Sequence, residues 1–175
     1  MSTPHARVAI ITRTMDRPQL LRRCLGSLLE QTCADWHWYV VTPAPHDGVT
    51  GLLAEHSAAL AGRATVLPYA QPQAGMRGLP LNHGILNSAS ELITILDDDD
   101  TWEPRFLEAM LAVLDRTPGT LAAGAVCLTR VIEESSISEG LTPLREYVLN
   151  PHLRSLTLAQ LAVVNQFCTH AFLYR

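Results

Sequence analysis

Three short apolar runs, Val8–Ile11, Trp38–Val41 and Leu92–Leu96, each stop at turn-forming or polar residues and each lead into a segment of helical period. Val8, Ala9, Ile10 and Ile11 are β-rich with no polar interruption, which suits a strand covered on both faces. After Thr12-Arg13-Thr14, Pro18 presets a first helical turn, and Leu21, Cys24, Leu25, Leu28 and Leu29 recur at helical spacing opposite Arg22, Arg23 and Glu30. Further helices are expected over Leu52–Leu60, Leu81–Ser90 and the run Phe106, Leu107, Met110, Leu111, Leu114, with a third strand over Ala64–Tyr69. Strands alternating with helices over short connections require right-handed crossovers, hence an α/β fold with a mostly parallel central sheet between helices.

The 175 residues are 47% hydrophobic and 17% charged, enough apolar content for one core. A single domain over residues 1–175 is expected. Beyond Leu121–Ile132, which is strand-like, the chain from Glu133 onward reads as a polar loop, a short helix over Leu156–Val163 and a closing run Phe167–Tyr174.

In a sheet of this kind ligands bind beyond the carboxyl ends of the strands. Three segments lie at such ends: Thr12–Thr14, the turn-rich stretch 42–48, and the four consecutive aspartates Asp97 to Asp100. Four adjacent carboxylates repel one another unless a cation or hydrogen-bond donors offset the cost, and capping the helix near Pro104 would take one of them, not four. On an extended backbone Asp97 and Asp99 would share one face and Asp98 and Asp100 the other. Hard cations such as Mg2+ and Mn2+ prefer carboxylate oxygen and keep positions for water and substrate phosphates.

The net charge of −4 comes from the tetrad, since without it 13 acidic residues face 13 Lys plus Arg. Such a balance argues against a nucleic-acid partner. Cys24, Cys33, Cys127 and Cys168 contain no C-x-x-C pair, which favours structural thiols in a reduced, cytoplasmic setting over a disulfide framework or a zinc site. No segment reaches the ~20 apolar residues of a transmembrane helix, so membrane association is expected to be peripheral if it occurs.

The run Val8-Ala9-Ile10-Ile11-Thr12-Arg13-Thr14 followed by Arg17-Pro18-Gln19-Leu20-Leu21 and, further on, Leu25-Gly26-Ser27-Leu28-Leu29-Glu30-Gln31 resembles the opening of family 2 glycosyltransferases. Asn82-His83-Gly84 leading through Leu92-Ile93-Thr94-Ile95-Leu96 into Asp97-Asp98-Asp99-Asp100-Thr101-Trp102 is similar to that family's stretch from an Asn-x-Gly helix into its acidic metal motif, the DXD motif. The resemblance is good over residues 1–115, a donor-binding part, and loose over 116–175, the start of an acceptor-side part.

The resemblance implies a GT-A, Rossmann-like three-layer sandwich and a hexosyltransferase-type enzyme. Such an enzyme moves sugar from a nucleotide-diphosphate donor to an acceptor that the sequence does not name, with inversion and with Mg2+ or Mn2+ as cofactor. By position it implies Asp99 as metal ligand with Asp97 as a second, and Asp98 on the ribose or nucleotide side. Thr12, Arg13, Thr14, Arg77, Asn82 and Asp97 are implied around the nucleotide sugar, and Gly84 allows close helix packing.

Trp102 stands where a sugar could stack, although packing is its simpler role, and Trp36 and Trp38 read as packing. The chain departs from the family pattern twice. Thr42-Pro43-Ala44-Pro45-His46-Asp47-Gly48 replaces an acidic pair after the second strand, leaving Asp47 as a displaced base reader. No Asp follows Asp115, so no catalytic base is identified among the late carboxylates Glu133, Glu134, Glu139 and Glu146. A shortened enzyme or a non-catalytic nucleotide-sugar-binding domain therefore stands beside the transferase reading. A metal-dependent phosphohydrolase or nucleotidyltransferase would lack its nucleophile motif and phosphate loop.

Overall fold

The polypeptide enters its sheet through β1 (Val8–Arg13), whose first five residues are buried. The computed structural model describes residues 6–15, 17–43, 47–70, 78–117, 122–137, 140–153 and 155–175. After β1 come α1 (Pro18–Leu29), β2 (Trp36–Thr42), α2 (Asp47–Glu55), α3 (Ser57–Leu60), β3 (Ala64–Pro68), α4 (Gly78–Leu86), β4 (Leu92–Ile95) and α5 (Phe106–Arg116). The remainder holds β5 (Gly124–Val126), β6 (Arg130–Ile137), β7 (Gly140–Val148), α6 (Leu158–Val163), a 3-10 turn Thr169–Ala171 and β8 (Phe172–Tyr174).

Six strands form one sheet in the order β3-β2-β1-β4-β8-β5. β1 is parallel to β2 and to β4, with Ile11 opposite Tyr39 and Ile95, and β2 is parallel to β3. β8 runs antiparallel to β4, pairing Ile93 with Tyr174. The sheet is thus mixed and mostly parallel. Chain order reverses beside β1: β2 and β3 extend to one side and β4 to the other.

Residue parity on β1 fixes which helix covers which face. Ile10 and Thr12 point one way, where Thr12 bonds the Cys24 thiol of α1. Ile11 points the other way, toward Gly84 of α4. Helices therefore cover both faces. α1 buries Leu21, Cys24, Leu25 and Leu28, and Gln31 just beyond it ties α1 to the approach to α5. The Gln31 amide donates to Ser27 O (3.1 Å) and Glu103 O (2.8 Å), and its oxygen accepts from Leu107 N–H (3.1 Å). A buried amide with both ends bonded costs little and fixes the register of the two helices.

Most elements lie where the periodicity puts them, with four differences. The helix expected over Leu52–Leu60 starts earlier and is broken at His56 into α2 and α3, with Ala61 in the left-handed region (φ 50°) closing α3. The helix expected over Leu81–Ser90 spans Gly78–Leu86, so Ser88 to Ser90 form the connection to β4. The acidic run does not continue β4: Asp100 N–H bonds Asp97 O at 3.1 Å, closing a turn, so two-faced alternation does not apply there.

The fourth difference is the stretch from Glu133, which is no loop. β6 and β7 make an antiparallel ribbon with a bulge at Glu133/Glu134, opposite which Leu144 is the extra residue. Glu133, Glu134 and Ser135 gave no apolar alternation because a two-stranded ribbon has little to bury. The cross-strand pair Arg130–Glu146 at 3.2 Å helps hold it instead, and along β7 the Arg145 guanidinium lies 4.9 Å over the Tyr147 ring.

The described residues divide into two compact units, one of residues up to Ala125 together with Leu173–Arg175, the other of Val126–Phe172. In the second unit α6 begins with a capping box in which Thr157 and Gln160 satisfy each other's backbone N–H. No helix among the described residues is long and apolar enough to cross a membrane. None of the four cysteines is in a disulfide.

Two outcomes follow from this packing. A Cβ on Gly84 would lie 2.5 Å from Ile11 Cγ2 and 3.0 Å from Val41 Cγ2, so Gly84→Ala is expected to cost about 1–3 kcal/mol by overpacking. Urea unfolding measures it, and unchanged stability would mean that α4 does not approach the sheet this closely. The second concerns pH. Burial holds His37 below its ordinary 6.5, and hydrogen bonds from Arg22, Arg105 and Arg7 hold Glu55, Glu108 and Asp115 below their ordinary 4.5, 4.5 and 3.8. In each case the unfolded chain binds the proton more readily, so native stability rises with pH across the interval. Unfolding midpoints should therefore decline below pH 6.5 and fall more steeply below pH 4.5, whereas a flat profile from pH 7 to 3.5 would contradict these environments.

Candidate functional site

Chain order reverses beside β1, so the carboxyl ends of β1 and β4 form the switch point at which an open α/β sheet receives ligands. Leu96 N–H bonds Ile11 O at 3.0 Å, so the two ends remain in register. The acidic turn Asp97–Asp100 follows one end, and Arg13, Thr14 and Arg17 follow the other.

The four carboxylates are not equivalent. Asp98 is buried, its side chain 2% exposed, while Asp97 and Asp99 are 29% and 51% exposed. Asp98 Oδ2 accepts from Thr14 Oγ1 (2.6 Å) and Arg17 Nε (3.0 Å), and Oδ1 accepts from Arg17 Nη2. This is a two-pronged arginine grip on a buried carboxylate, the strongest common form of charge-assisted bond. The grip holds the Arg17 guanidinium proton above its ordinary affinity, against the opposing pull of partial burial.

Asp97 and Asp99 have looser partners. Arg13 Nε donates to Asp97 Oδ1 at 3.2 Å. Arg17 Nη2 reaches Asp99 Oδ2 only at 3.5 Å, and Arg23 Nη2 meets the Asp99 backbone oxygen at 3.4 Å. Arginines on β1 and α1 thus answer the repulsion within the tetrad. Arg17 occupies the N-cap position of α1 and makes no cap bond, since a guanidinium has only donors and cannot accept from the first-turn N–H groups; its donors go to Asp98 instead. Pro18 at the first helical position compensates, having no N–H to satisfy.

Other residues singled out in the sequence are distributed differently. Thr14 is buried and joins the grip, its Oγ1 also accepting Arg17 N–H at 3.4 Å. Thr12 is fully buried, and its Oγ1 accepts from Trp38 Nε1 at 2.8 Å, so only its backbone faces the strand end. Asn82 is exposed on α4, on the face of the sheet opposite α1. Asp47 is exposed in the first turn of α2. Arg77 and His46 lie outside the described residues.

Trp102 is 6% exposed and stacks on Phe106 with ring centroids 4.2 Å apart, a packing role. Trp36 and Trp38 are core residues. Of the late carboxylates, Glu146 pairs with Arg130 and Glu133 is exposed, both on the ribbon of the second unit, and Glu139 lies outside the described residues. Cys24 is buried beneath the site, and burial, reinforced by the charge of Asp98, pushes its thiol far up, which makes it inert.

Arg17 is the residue that reading for roles overlooked. It stood within the recognised opening run, but nothing in its spacing from Asp98, 81 positions on, signals a contact. Only the parallel pairing of β1 with β4 makes that distance short.

Among the described residues no group of three or more His, Cys, Asp or Glu is arranged to cage an ion. An open site of one or two carboxylates could draw on Asp97 and Asp99. Both are partly exposed, and Mg2+ or Mn2+ commonly takes one or two protein carboxylates and completes its shell with water and phosphate.

The model of glycosyl transferase family 2 matches residues 9–173. Residues 1–349 of S. aureus TarS, solved with UDP-GlcNAc, superpose with a TM-score of 0.55 at 20% identity over 62% of this chain and 31% of that one. The mannosyltransferase PcManGT from Pyrobaculum calidifontis, solved with GDP-Man and Mn2+, gives a TM-score of 0.54 at 22% identity over 64% of this chain and 33% of that one. The chain thus spans about a third of the length of these solved structures, and the likeness is one of fold, the GT-A architecture. No curated protein matches the chain.

The inequality among the carboxylates is directly measurable without any ligand. Asp98→Ala strands an arginine fork and a buried hydroxyl and is expected to cost about 1–3 kcal/mol. Asp99→Ala should stay within about 0.5 kcal/mol, as exposed substitutions do. Equal effects in denaturant unfolding would overturn the division into a structural and an open carboxylate.

Proposed function

The chain belongs to glycosyl transferase family 2, and from that premise we propose that it binds a nucleotide-diphosphate sugar together with Mg2+ or Mn2+ and serves its transfer to an acceptor. The observation that carries the reading is the coincidence of the acidic turn with the switch point at the carboxyl ends of β1 and β4, where an open α/β sheet receives ligands. The solved structures of like fold include one with UDP-GlcNAc and one with GDP-Man and Mn2+, which supports testing those two donor classes first.

In this reading Asp99 is the principal ligand of the ion and Asp97 the second, because these two carboxylates retain open sides. The ion, when bound, offsets the negative charge that grows on the departing diphosphate. Asp98 takes a different part from the one its position in the family motif implies: with Thr14 and Arg17 it holds the acidic turn against the β1–α1 loop, so that the ligand-facing groups need no reorganisation. Arg13 and the backbone at Thr12 border the nucleotide side, and Asn82 of α4 is assigned to the same donor site.

The reading gives this part of the enzyme donor binding and leaving-group stabilisation, and it assigns the base that takes the acceptor proton to none of its residues.

Calorimetric titration with UDP, GDP and dTDP, with and without Mn2+, tests the proposal. Mn2+-dependent binding of at least one nucleotide is expected, and Asp99→Ala should weaken it at least tenfold while the fold survives. Binding that ignores the metal, or none to any of the three, would defeat it. Release of free nucleotide from UDP-GlcNAc or GDP-Man, measured on the same protein, separates turnover from binding alone.

A further inference from the structure

Arg17 faces two carboxylates with one guanidinium. Its Nε and Nη2 are spent on buried Asp98, and the same Nη2 reaches exposed Asp99 at 3.5 Å, beyond the usual length of a strong bond. The arginine itself is 46% exposed and stands on the open side of the turn. A guanidinium in that place is a cation already beside the carboxylate that a divalent ion would need.

We propose that Asp98 and Arg17 form a positioning pair that sets how strongly Asp99 binds a divalent cation, Asp98 restraining an arginine that would otherwise compete for it. The inference rests on the donor-site reading and deepens it. While Asp98 carries its charge, the fork fixes the guanidinium toward the protein interior and leaves Asp99 a single long contact. When that charge is removed, the guanidinium loses its better partner and turns to Asp99, the nearest remaining carboxylate along its reach. Arg13 is engaged with Asp97 and Arg23 with the Asp99 backbone oxygen, so neither substitutes for the fork. Asp98 and Arg17 touch neither ion nor sugar in this account; they act through Asp99.

The test measures Mn2+ affinity by electron paramagnetic resonance in saturating UDP, with parallel series in GDP and dTDP, for the wild-type chain, Asp98→Asn and the double variant Asp98→Asn/Arg17→Gln. Asp98→Asn should bind Mn2+ at least tenfold more weakly. The double variant should return to within about threefold of wild type, a rescue that a merely structural role for Asp98 does not predict, since it removes a second native contact. If Asp98→Asn binds Mn2+ as wild type does, or the double variant is no better than the single one, the inference fails and the donor site stands. If the wild-type chain itself binds no Mn2+ with any of the three nucleotides, the donor-site reading fails and takes this inference with it.

A second readout needs no variant and so does not depend on one folding. The Arg17 Nε–H, bonded to Asp98, should give a slowly exchanging NMR signal that persists unshifted as Mg2+ and UDP are added, while the Asp99 carboxyl carbon shifts. Loss of the Arg17 signal on binding would mean that the fork does not survive the ligand, and the inference would fall.

Discussion

A buried carboxylate must be answered from within the protein, and at Asp98 the answer comes from Thr14 and Arg17 on the other side of a strand junction. The rest of the site depends on that exchange. It joins the loop after β1 to the turn after β4, two segments that share no other side-chain hydrogen bond as strong as this one among those described. The cost of burying charge is met only if β1 and β4 stay in register, so the site reports on the sheet that carries it. A slip of one residue on β4 would turn Leu92, Thr94 and Leu96 away from their buried positions and carry Asp98 out of Arg17's reach.

The opposite ends of the same strands are also bound by arginine and carboxylate, with a different result. Arg7, just before β1, pairs with Asp115 at the end of α5 and lies near Glu91 before β4, which in turn meets Arg175 at 3.1 Å. Those carboxylates are exposed and each has an arginine of its own, so the cluster is a solvated clasp of modest worth. At the carboxyl ends, four carboxylates sit beside three arginines, one of them forked onto a buried partner. What distinguishes the functional end is therefore not charge but inequality of burial within one short run.

Much of this was legible in the sequence. Uninterrupted apolar runs and helical periods located β1, α1, β2, β4 and α5, because each buries a continuous face and burial leaves periodicity behind. The tetrad announced its own importance through repulsion. What the residues could not reveal were relations set by three-dimensional pairing. Thr12 looked like a strand-end ligand, yet parity on β1 turns it inward, where the Trp38 indole claims its hydroxyl. Asp98 was expected to share a face with Asp100 on an extended run, but a turn, rather than a strand, decides which carboxylate points in. Arg17 sat in plain view without a partner, and the β6–β7 ribbon left no apolar alternation because it has no core to face.

The same parity argument explains why the site needs both faces of the sheet. Ile11 and Val41 pack beneath Gly84, and the absence of a side chain there lets α4 lie against β1 and β2 at once. On the other face, Cys24 of α1 contacts Thr12, and Gln31 locks α1 to the segment that follows the acidic turn. Asp98 is held from the α1 side, so any tilt of α1 would be transmitted to Arg17 and on to the turn. Close packing behind β1 and a satisfied amide at the far end of α1 both resist such a tilt. The rigidity of the acidic turn is therefore assembled from contacts that lie away from its carboxylates, on both faces of the sheet.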